Sequence, residues 1–330
     1  MKNLKKTKIT IIFCFKTGGQ YGLGHYRRVL PLIKIYANKY KIFIFTNNKQ
    51  NIYLNKNITL LNYDQKKLYK DILKIDSQKK IIIFDIKEKI GSLLLKKLAS
   101  FAKTIIFHDF NTSAKLADLI IYPIIHLTKS DHQKIKNLKT KNNKIIYGKN
   151  YIILNQNILK EKNKNKQKKI KIKNQISILT GGSDPYNYED KICKILIKNK
   201  INLKYKLLFL RGLKQINSNL KFKPNIFYKK FNFTDLNQSK LVISTFGVST
   251  YEMLYLQKKI INICYNIKSK KRAQILDKNF KNIRSFTIKD NFLPFIGIMD
   301  RGGFESNYLS PNGVKNIYNN INKLIDKNDK

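Results

Sequence analysis

The sequence predicts an α/β protein of two domains, each a parallel β-sheet covered by helices. Short apolar runs alternate with amphipathic stretches along nearly the whole chain, the pattern of strands buried on both faces by crossover helices. A polar, lysine-rich segment interrupts this rhythm near the midpoint, after which it restarts. The length of 330 residues is too great for one ordinary core and suits two.

In the first half the apolar runs Ile9–Phe15, Ile42–Thr46, Ile81–Phe84, Thr104–Phe107 and Leu119–Ile121 read as strands, with helices over His25–Asn38 and Ser92–Ala102. The opening segment joins basic residues to a short apolar run, as a signal peptide does. No small-residue cleavage site follows, and a first buried strand is the expectation. Lys160–Lys173 (KEKNKNKQKKIKIK) is nearly free of apolar residues and reads as a linker or exposed loop. Strands resume at Ile176–Leu179, Lys206–Phe209, Leu241–Ser244 and Ile260–Cys264. Helices are expected after Asp184, around Asp235 and after Ser249, and a last one over Pro311–Lys323 with Asn312 as its cap. The expected domains are residues 1–158 and 175–330, joined by a linker over 159–174. Ligands of such sheets sit at the carboxyl ends of the strands, so a cleft between the halves is the expected binding site. No internal repeat is visible.

A hydrophobic content of 42% excludes a disordered chain. No apolar run approaches the roughly 20 residues of a membrane helix. Cys14, Cys193 and Cys264 are too far apart for a metal motif or a disulfide framework, which fits a reducing cytoplasm. The formal net charge of +47 is that of a polyanion binder. However, the lysines are spread along the chain with abundant Asn and Ile, few basic residues are Arg, and Trp is absent. This is the mark of compositional drift, so no specific nucleic-acid partner is expected. Peripheral contact of the lysines with an anionic membrane stays open. The 19 Tyr and 19 Phe lie at core-like spacing and read as core, not as base-stacking platforms.

Three loops, each following a strand and opening a helix, carry chemistry. In Thr17–Arg28 (TGGQYGLGHYRR), Gly18, Gly19, Gly22 and Gly24 permit a tight turn and close approach of a ligand. His25 then falls in the first helical turn, where the helix dipole disfavours imidazolium and suits a neutral general base. The alternative is that His25 only caps or packs. The dinucleotide spacing G-x-G-x-x-G is absent. In Leu179–Pro185 (LTGGSDP), Ser183 or Asp184 is the expected N-cap and Pro185 the first helical residue. The N–H groups of Gly181, Gly182 and Ser183 would face an anion such as a diphosphate, unless Asp184 itself satisfies the helix end. In Ser244–Glu252 (STFGVSTYE), Ser249 and Glu252 match the capping box. Glu252 alternatively accepts two ribose hydroxyls.

Together these loops resemble a family. GLGHYRR is similar to the G-x-G-H-x-x-R motif of the UDP-sugar hydrolases of the pseudaminic acid pathway and of related spore-coat polysaccharide glycosyltransferases. TGGSDPYN resembles their GGSDP-x-N segment, and STFGVSTYEMLYLQKKIINICY their S-x-G-x-x-x-x-E-x-L-x-L unit. FHDFNTSAKLADLIIYP and YGKNYIILN resemble two further stretches, so the match spans Ile9 to Leu276. The resemblance implies a GT-B fold, with two Rossmann-like domains whose parallel sheets face a central cleft and a terminal helix that crosses back to the first domain. It implies that the second domain holds UDP and the first presents the catalytic His. His25 would activate water to attack the anomeric carbon with inversion. Gly22, Gly24 and Arg28 would shape the site. Gly181, Gly182 and Ser183 would line the nucleotide site, Gly247, Val248 and Ser249 would meet the phosphates, and Glu252 would hold the ribose. The family's Asn-Gln pair is replaced here by NIKSKKRAQILDK, in which Gln274 fills part of the role, and Asn155 stands where the family has an Arg.

Asp85 and Asp109 each follow a strand, where a carboxylate either orients a base or caps a turn. His126 and His132 lie in a lysine-rich stretch without metal-ligand spacing, and no Asp-x-Asp signature appears, so neither metal nor cofactor is expected. No G-x-S-x-G nucleophile elbow is present. With the resemblance, the expectation is a monomeric, cytoplasmic nucleotide-sugar hydrolase with a UDP-sugar as its ligand. A transferase on the same fold is the second candidate, and a basic nucleic-acid-binding protein the third.

Overall fold

The structure is a computed structural model that describes residues 9–18, 21–50, 52–167, 170–181, 184, 186–211, 223–301 and 309–326. The chain forms two compact units, Met1–Ile153 with Asn312–Lys330, and Leu154–Pro311.

The first unit contains β1 (Ile9–Phe15), α1 (Gly24–Ala37), β2 (Lys41–Thr46), β3 (Ile58–Asn62), α2 (Leu68–Leu73), β4 (Lys79–Asp85), α3 (Ser92–Ala99), β5 (Ala102–Phe107), β6 (Leu119–Tyr122), α4 (Lys129–Leu138) and β7 (Lys144–Tyr147). Its seven strands run in the order β3-β2-β1-β4-β5-β6-β7, every pair parallel. Ile, Phe and Leu dominate the central strands because both faces of a parallel sheet are covered. Ile11, Phe13 and Phe15 pack on one face with Val29, Leu32 and Tyr36 of α1, while Ile12 and Cys14 are equally buried on the other.

The second unit contains α5 (Gln156–Gln167), β8 (Lys173–Leu179), α6 (Tyr188–Lys198), α7 (Ile201–Lys204), β9 (Lys206–Arg211), β10 (Ile226–Lys230), α8 (Phe233–Gln238), β11 (Ser239–Thr245), α9 (Val248–Tyr255), β12 (Ile260–Cys264), α10 (Ile267–Asn279), β13 (Ile283–Thr287) and α11 (Leu293–Arg301). Its six parallel strands follow the order β10-β9-β8-β11-β12-β13. Ile192, Cys193 and Leu196 of α6 pack on Ile178, Phe209 and Ile243.

The final helix, α12 (Gly313–Asp326), belongs to the first unit: Ile317, Ile321 and Ile325 are buried in its core beside Tyr36 and Ala37. Its entry is tight, since a Cβ on Gly313 would lie 1.9 Å from the Ile152 carbonyl oxygen.

The expected linker over 159–174 is corrected. Residues 159–167 are helical, in α5, and β8 begins at Lys173. The helix docks although its composition is polar. Ile158 is fully buried, Thr234 Oγ1 donates to Glu161 Oε2 at 3.3 Å, and Lys162 donates to the Tyr255 carbonyl at 2.7 Å while lying over the Tyr255 ring. The boundary falls between residues 153 and 154 instead of at 158. The helix expected over Ser92–Ala102 stops at Ala99, and Ala102 already opens β5.

Candidate functional site

In each sheet the strand order reverses once, between β1 and β4 and between β8 and β11. Crevices at the carboxyl ends of such strands are where open α/β sheets bind ligands. All three loops singled out in the sequence lie at these two points.

In the first unit, β1 ends at Phe15 directly beside Asp85 at the end of β4. The chain then turns tightly. Gly18 N–H donates to the Gly22 carbonyl at 2.8 Å and Tyr21 N–H to the Gly18 carbonyl at 3.0 Å. Asn47 clamps the entry, accepting from Thr17 N–H at 2.8 Å and donating to the Thr17 carbonyl at 3.1 Å. Gly18 has φ +79, a conformation that favours glycine, and a Cβ there would lie 2.6 Å from Asn48 Nδ2, so that side chain would have to shift. Gly22 has φ +61. Gly24 is the first residue of α1, and a Cβ on it would meet nothing, which leaves the approach to the helix end open. Gly19 lies outside the described residues.

His25 and Arg28, three residues apart, share one face of α1 and converge on Asp85. His25 Nδ1 lies 2.7 Å from Asp85 Oδ1, Arg28 Nε donates to Asp85 Oδ2 at 2.7 Å, and Arg28 Nη2 donates to Oδ1. Asp85 is fully buried. Burial alone would raise its pKa, but the Arg28 charge and the hydrogen bonds from Arg28 and His25 outweigh it and hold the carboxyl below its ordinary value. Ionised, Asp85 only accepts hydrogen bonds, so His25 Nδ1 carries the proton. Arg28 Nη2, 3.2 Å from Nδ1, is then a second donor to the same oxygen and not a partner of the ring. In the neutral imidazole the lone pair is left on Nε2, which no described residue engages. The His25 side chain keeps 19% of its surface exposed. The arrangement is one that a general base needs: the buried carboxylate fixes the tautomer and would steady an imidazolium formed on proton uptake.

No side chain caps α1 and its first turn carries no acid, so the positive helix end also favours the Asp85 carboxylate. Beside this group Lys16 donates to Glu88 Oε1 at 2.6 Å and to Tyr21 Oη at 3.3 Å, tying the glycine loop to the segment after β4. Asp109 does not approach His25. Its Oδ1 accepts from Asn111 N–H at 2.8 Å and Asn111 Nδ2 at 2.6 Å, which is a turn cap.

In the second unit Gly181 follows β8 with φ +89, and a Cβ on it would lie 3.9 Å from Thr245 Oγ1 at the end of β11. Gly182, Ser183 and Pro185 lie outside the described residues. Helix α6 begins at Tyr188, not at residue 185. Asp184 nevertheless caps it from a distance, accepting from Tyr188 N–H and Glu189 N–H at 2.9 Å each. Its carboxylate thus satisfies the helix end, as the alternative reading held. The buried Glu189 pairs with Arg211 at the end of β9, whose Nε donates to Oε1 at 2.9 Å. Burial pushes the Glu189 pKa up, with the Arg211 hydrogen bonds offsetting part of the rise. Sequence reading missed this pair because its partners are 22 residues apart and match no motif.

The capping box expected at Ser249 and Glu252 is also corrected. Gly247 is the N-cap of α9, Ser249 is the second helical residue, and Thr250 Oγ1 reaches back to accept from Gly247 N–H at 3.3 Å. Glu252 lies in the second turn and is buried, too far along to serve the helix start. The N–H groups of Val248 and Ser249 have no hydrogen-bond partner among the described residues. Gln274 is exposed on α10 and lines an open pocket of about 860 Å³ beyond the ends of β12 and β13. Among the described residues, no three His, Cys, Asp or Glu side chains cluster as metal ligands, and no helix is long and apolar enough to cross a membrane.

No family model matches the chain, and no curated protein matches it. Solved structures do match in fold. UDP-GlcNAc 2-epimerase of Methanocaldococcus jannaschii, in complex with UDP-GlcNAc and UDP, superposes with a TM-score of 0.62 at 11% identity over 95% of this chain and 99% of its own. UDP-N-acetylglucosamine 2-epimerase from Rickettsia bellii gives 0.62 at 12% identity, covering 97% and 98%. The glycotransferase of kitacinnamycin gives 0.57 at 8% identity, covering 96% and 94%. At these identities the likeness is one of fold, and the chain is built of the two parallel-sheet, Rossmann-like units of the GT-B class.

Proposed function

We propose that this chain is an enzyme acting on a UDP-sugar, and specifically a hydrolase that releases UDP and a free amino-deoxy hexose for nonulosonic acid or surface-glycan synthesis. The observation that carries the reading is the His25–Asp85–Arg28 group at the reversal point of the first sheet. His25 Nε2 takes a proton from water as the water oxygen bonds to the anomeric carbon. The bond from that carbon to the β-phosphate oxygen breaks, and its electron pair leaves on UDP. Attack opposite the leaving group inverts the anomeric centre. Arg28 serves the base through Asp85. In the second unit the N–H groups of Val248 and Ser249, without a partner among the described residues, are suited to the phosphates. Gly181 lines the nucleotide site at the end of β8, and Glu252 accepts from the ribose hydroxyls. The M. jannaschii fold neighbour, a complex with UDP-GlcNAc and UDP, supports a nucleotide-sugar ligand.

The likeness to a glycotransferase favours one second reading, in which an acceptor hydroxyl replaces water at the same base. In either case the proposed enzyme is a cytoplasmic monomer that needs no metal, with its lysines free to meet an anionic membrane.

The test is calorimetric binding of UDP, UMP and GDP, followed by UDP release from a panel of UDP-sugars in the presence of EDTA. His25→Ala is expected to slow turnover by about 10²–10⁴-fold with UDP affinity unchanged. Free sugar formed without an acceptor supports hydrolysis, and strict dependence on an acceptor selects transfer. Full turnover by His25→Ala removes the base from the mechanism. Failure to bind UDP removes the nucleotide.

A further inference from the structure

The open pocket of about 860 Å³ in the second unit is lined by Tyr265, Asn266, Ile267, Lys268, Lys270, Lys271, Gln274 and residues 287–290. Its volume is that of a small-molecule site. It lies at the carboxyl ends of β12 and β13, and β12 pairs directly with β11, whose end leads to Gly247. Adjacent strands lie about 4.8 Å apart, so the pocket opens one strand over from the loop proposed to hold the diphosphate.

The chemistry of the lining is one-sided. Four lysines (Lys268, Lys270, Lys271 and Lys289) face a single acid, Asp290. That acid is already engaged. Lys270 donates to Asp290 Oδ2 at 2.9 Å, and the Thr287 N–H and hydroxyl donate to the same oxygen at 2.5 and 3.0 Å. Lys268, Lys271 and Lys289 have no carboxylate partner among the described residues, and all three are exposed. The pocket floor includes the start of α10, whose first turn carries no acid, so the helix dipole adds to the positive field. Tyr265, Ile267 and Ile288 supply apolar surface suited to the carbon face of a pyranose. A neutral sugar would leave this field unanswered.

We infer that the pocket selects an acidic sugar: a hexose whose carboxylate is held by Lys268, Lys271 and Lys289. This rests on the UDP-sugar reading above and narrows its substrate class to UDP-linked amino-deoxy hexuronates, for which UDP-glucuronate is the carboxylate probe. The same field would also receive a free phosphate or the diphosphate itself, and the experiment separates these sources.

UDP-glucuronate and UDP-glucose differ only in a carboxylate against a hydroxymethyl group. Calorimetry on the full chain at moderate salt is expected to show UDP-glucuronate binding about tenfold tighter, the size of a charge-assisted contact. Lys268→Ser/Lys271→Ser/Lys289→Ser should abolish that preference and leave UDP affinity within twofold. Removing Lys194, Lys198 and Lys204, exposed on α6 and α7, should leave the preference intact. Equal affinity of the wild type for the two sugars overturns the inference, and so does a preference that survives the pocket triple. A triple variant that loses UDP, UMP and inorganic phosphate binding together assigns the lysines to phosphate and also overturns it. UDP that binds without a carboxylate preference leaves the nucleotide-sugar reading standing, whereas absence of UDP binding ends both.

Discussion

Asp85→Asn is the most informative single change. The carboxylate accepts from three N–H groups, His25 Nδ1, Arg28 Nε and Arg28 Nη2, using both oxygens. Asparagine offers one acceptor oxygen and one donor NH₂. If the oxygen stays with Arg28, the NH₂ faces His25 Nδ1 and forces that nitrogen to accept. The proton then moves to Nε2, and the base loses its lone pair. The expected loss of kcat is about 10²–10⁴-fold, or about 3–5 kcal/mol of barrier. Stability also falls, because Arg28 is nearly buried and loses its counter-charge; breaking such a pair costs about 3–5 kcal/mol. The sign in pH follows from the lowered pKa of Asp85. Its stabilising contribution is complete above the unfolded carboxyl value and is lost as pH falls through the lower folded value, so the variant should lose that part of the acid limb. The assay pairs UDP release with urea unfolding from pH 2 to 7. A double variant, His25→Ala/Asp85→Asn, should be no slower than the slower single change, since the two act as a unit. Asp85→Asn enzyme with more than a third of wild-type kcat would refute the tautomer argument, whatever its stability.

Three other outcomes are expected. Gly18→Ala should destabilise by about 2 kcal/mol in urea unfolding, from its positive φ and the 2.6 Å approach to Asn48, whereas Gly24→Ala, helical with open space, should cost nothing or gain up to about 1 kcal/mol; equal effects would contradict the turn geometry. Glu252→Ala should weaken UDP binding about tenfold in calorimetry, and normal affinity would return Glu252 to a structural role. Lys258 is buried, donates to the Asn237 carbonyl at 2.7 Å, and has its pKa lowered to about 8 by burial and then by Lys259. The unfolded chain therefore binds more protons between about pH 8 and 10, and native stability rises over that window. Lys258→Met should stabilise by about 1–2 kcal/mol at pH 7, with the gain vanishing near pH 10; a gain independent of pH would exclude titration of Lys258 as its source.

The central strands were legible because parallel strands buried on both faces are continuous apolar runs: Ile9–Phe15 and Ile260–Cys264 match residue for residue. The strands that escaped are β3, β7, β10 and β13, the two edges of each sheet. An edge strand has one neighbour and is partly exposed, so ITLLN or IFYKK carries polar residues where a central strand carries Ile. Helix α5 escaped because a mostly lysine and asparagine segment docks through Ile158 and two side-chain contacts, a face too narrow to show as a period. At the site, His25 and its loop were legible from the glycines. Asp85 was not separable from Asp109, since each ends an apolar strand, and only pairing of β1 with β4 decides which one meets α1. One helix start misled, at Ser249, because Thr250 supplies the local cap.

The placement of α12 has a consequence for biosynthesis. The second unit is one continuous stretch, Leu154–Pro311, inserted into a first unit whose core is completed by Ile317, Ile321 and Ile325. On the ribosome the first unit cannot complete its core beside Tyr36 until the last helix has been made. Gly313 packs on Ile152, so within the first unit the chain leaves and returns at neighbouring points.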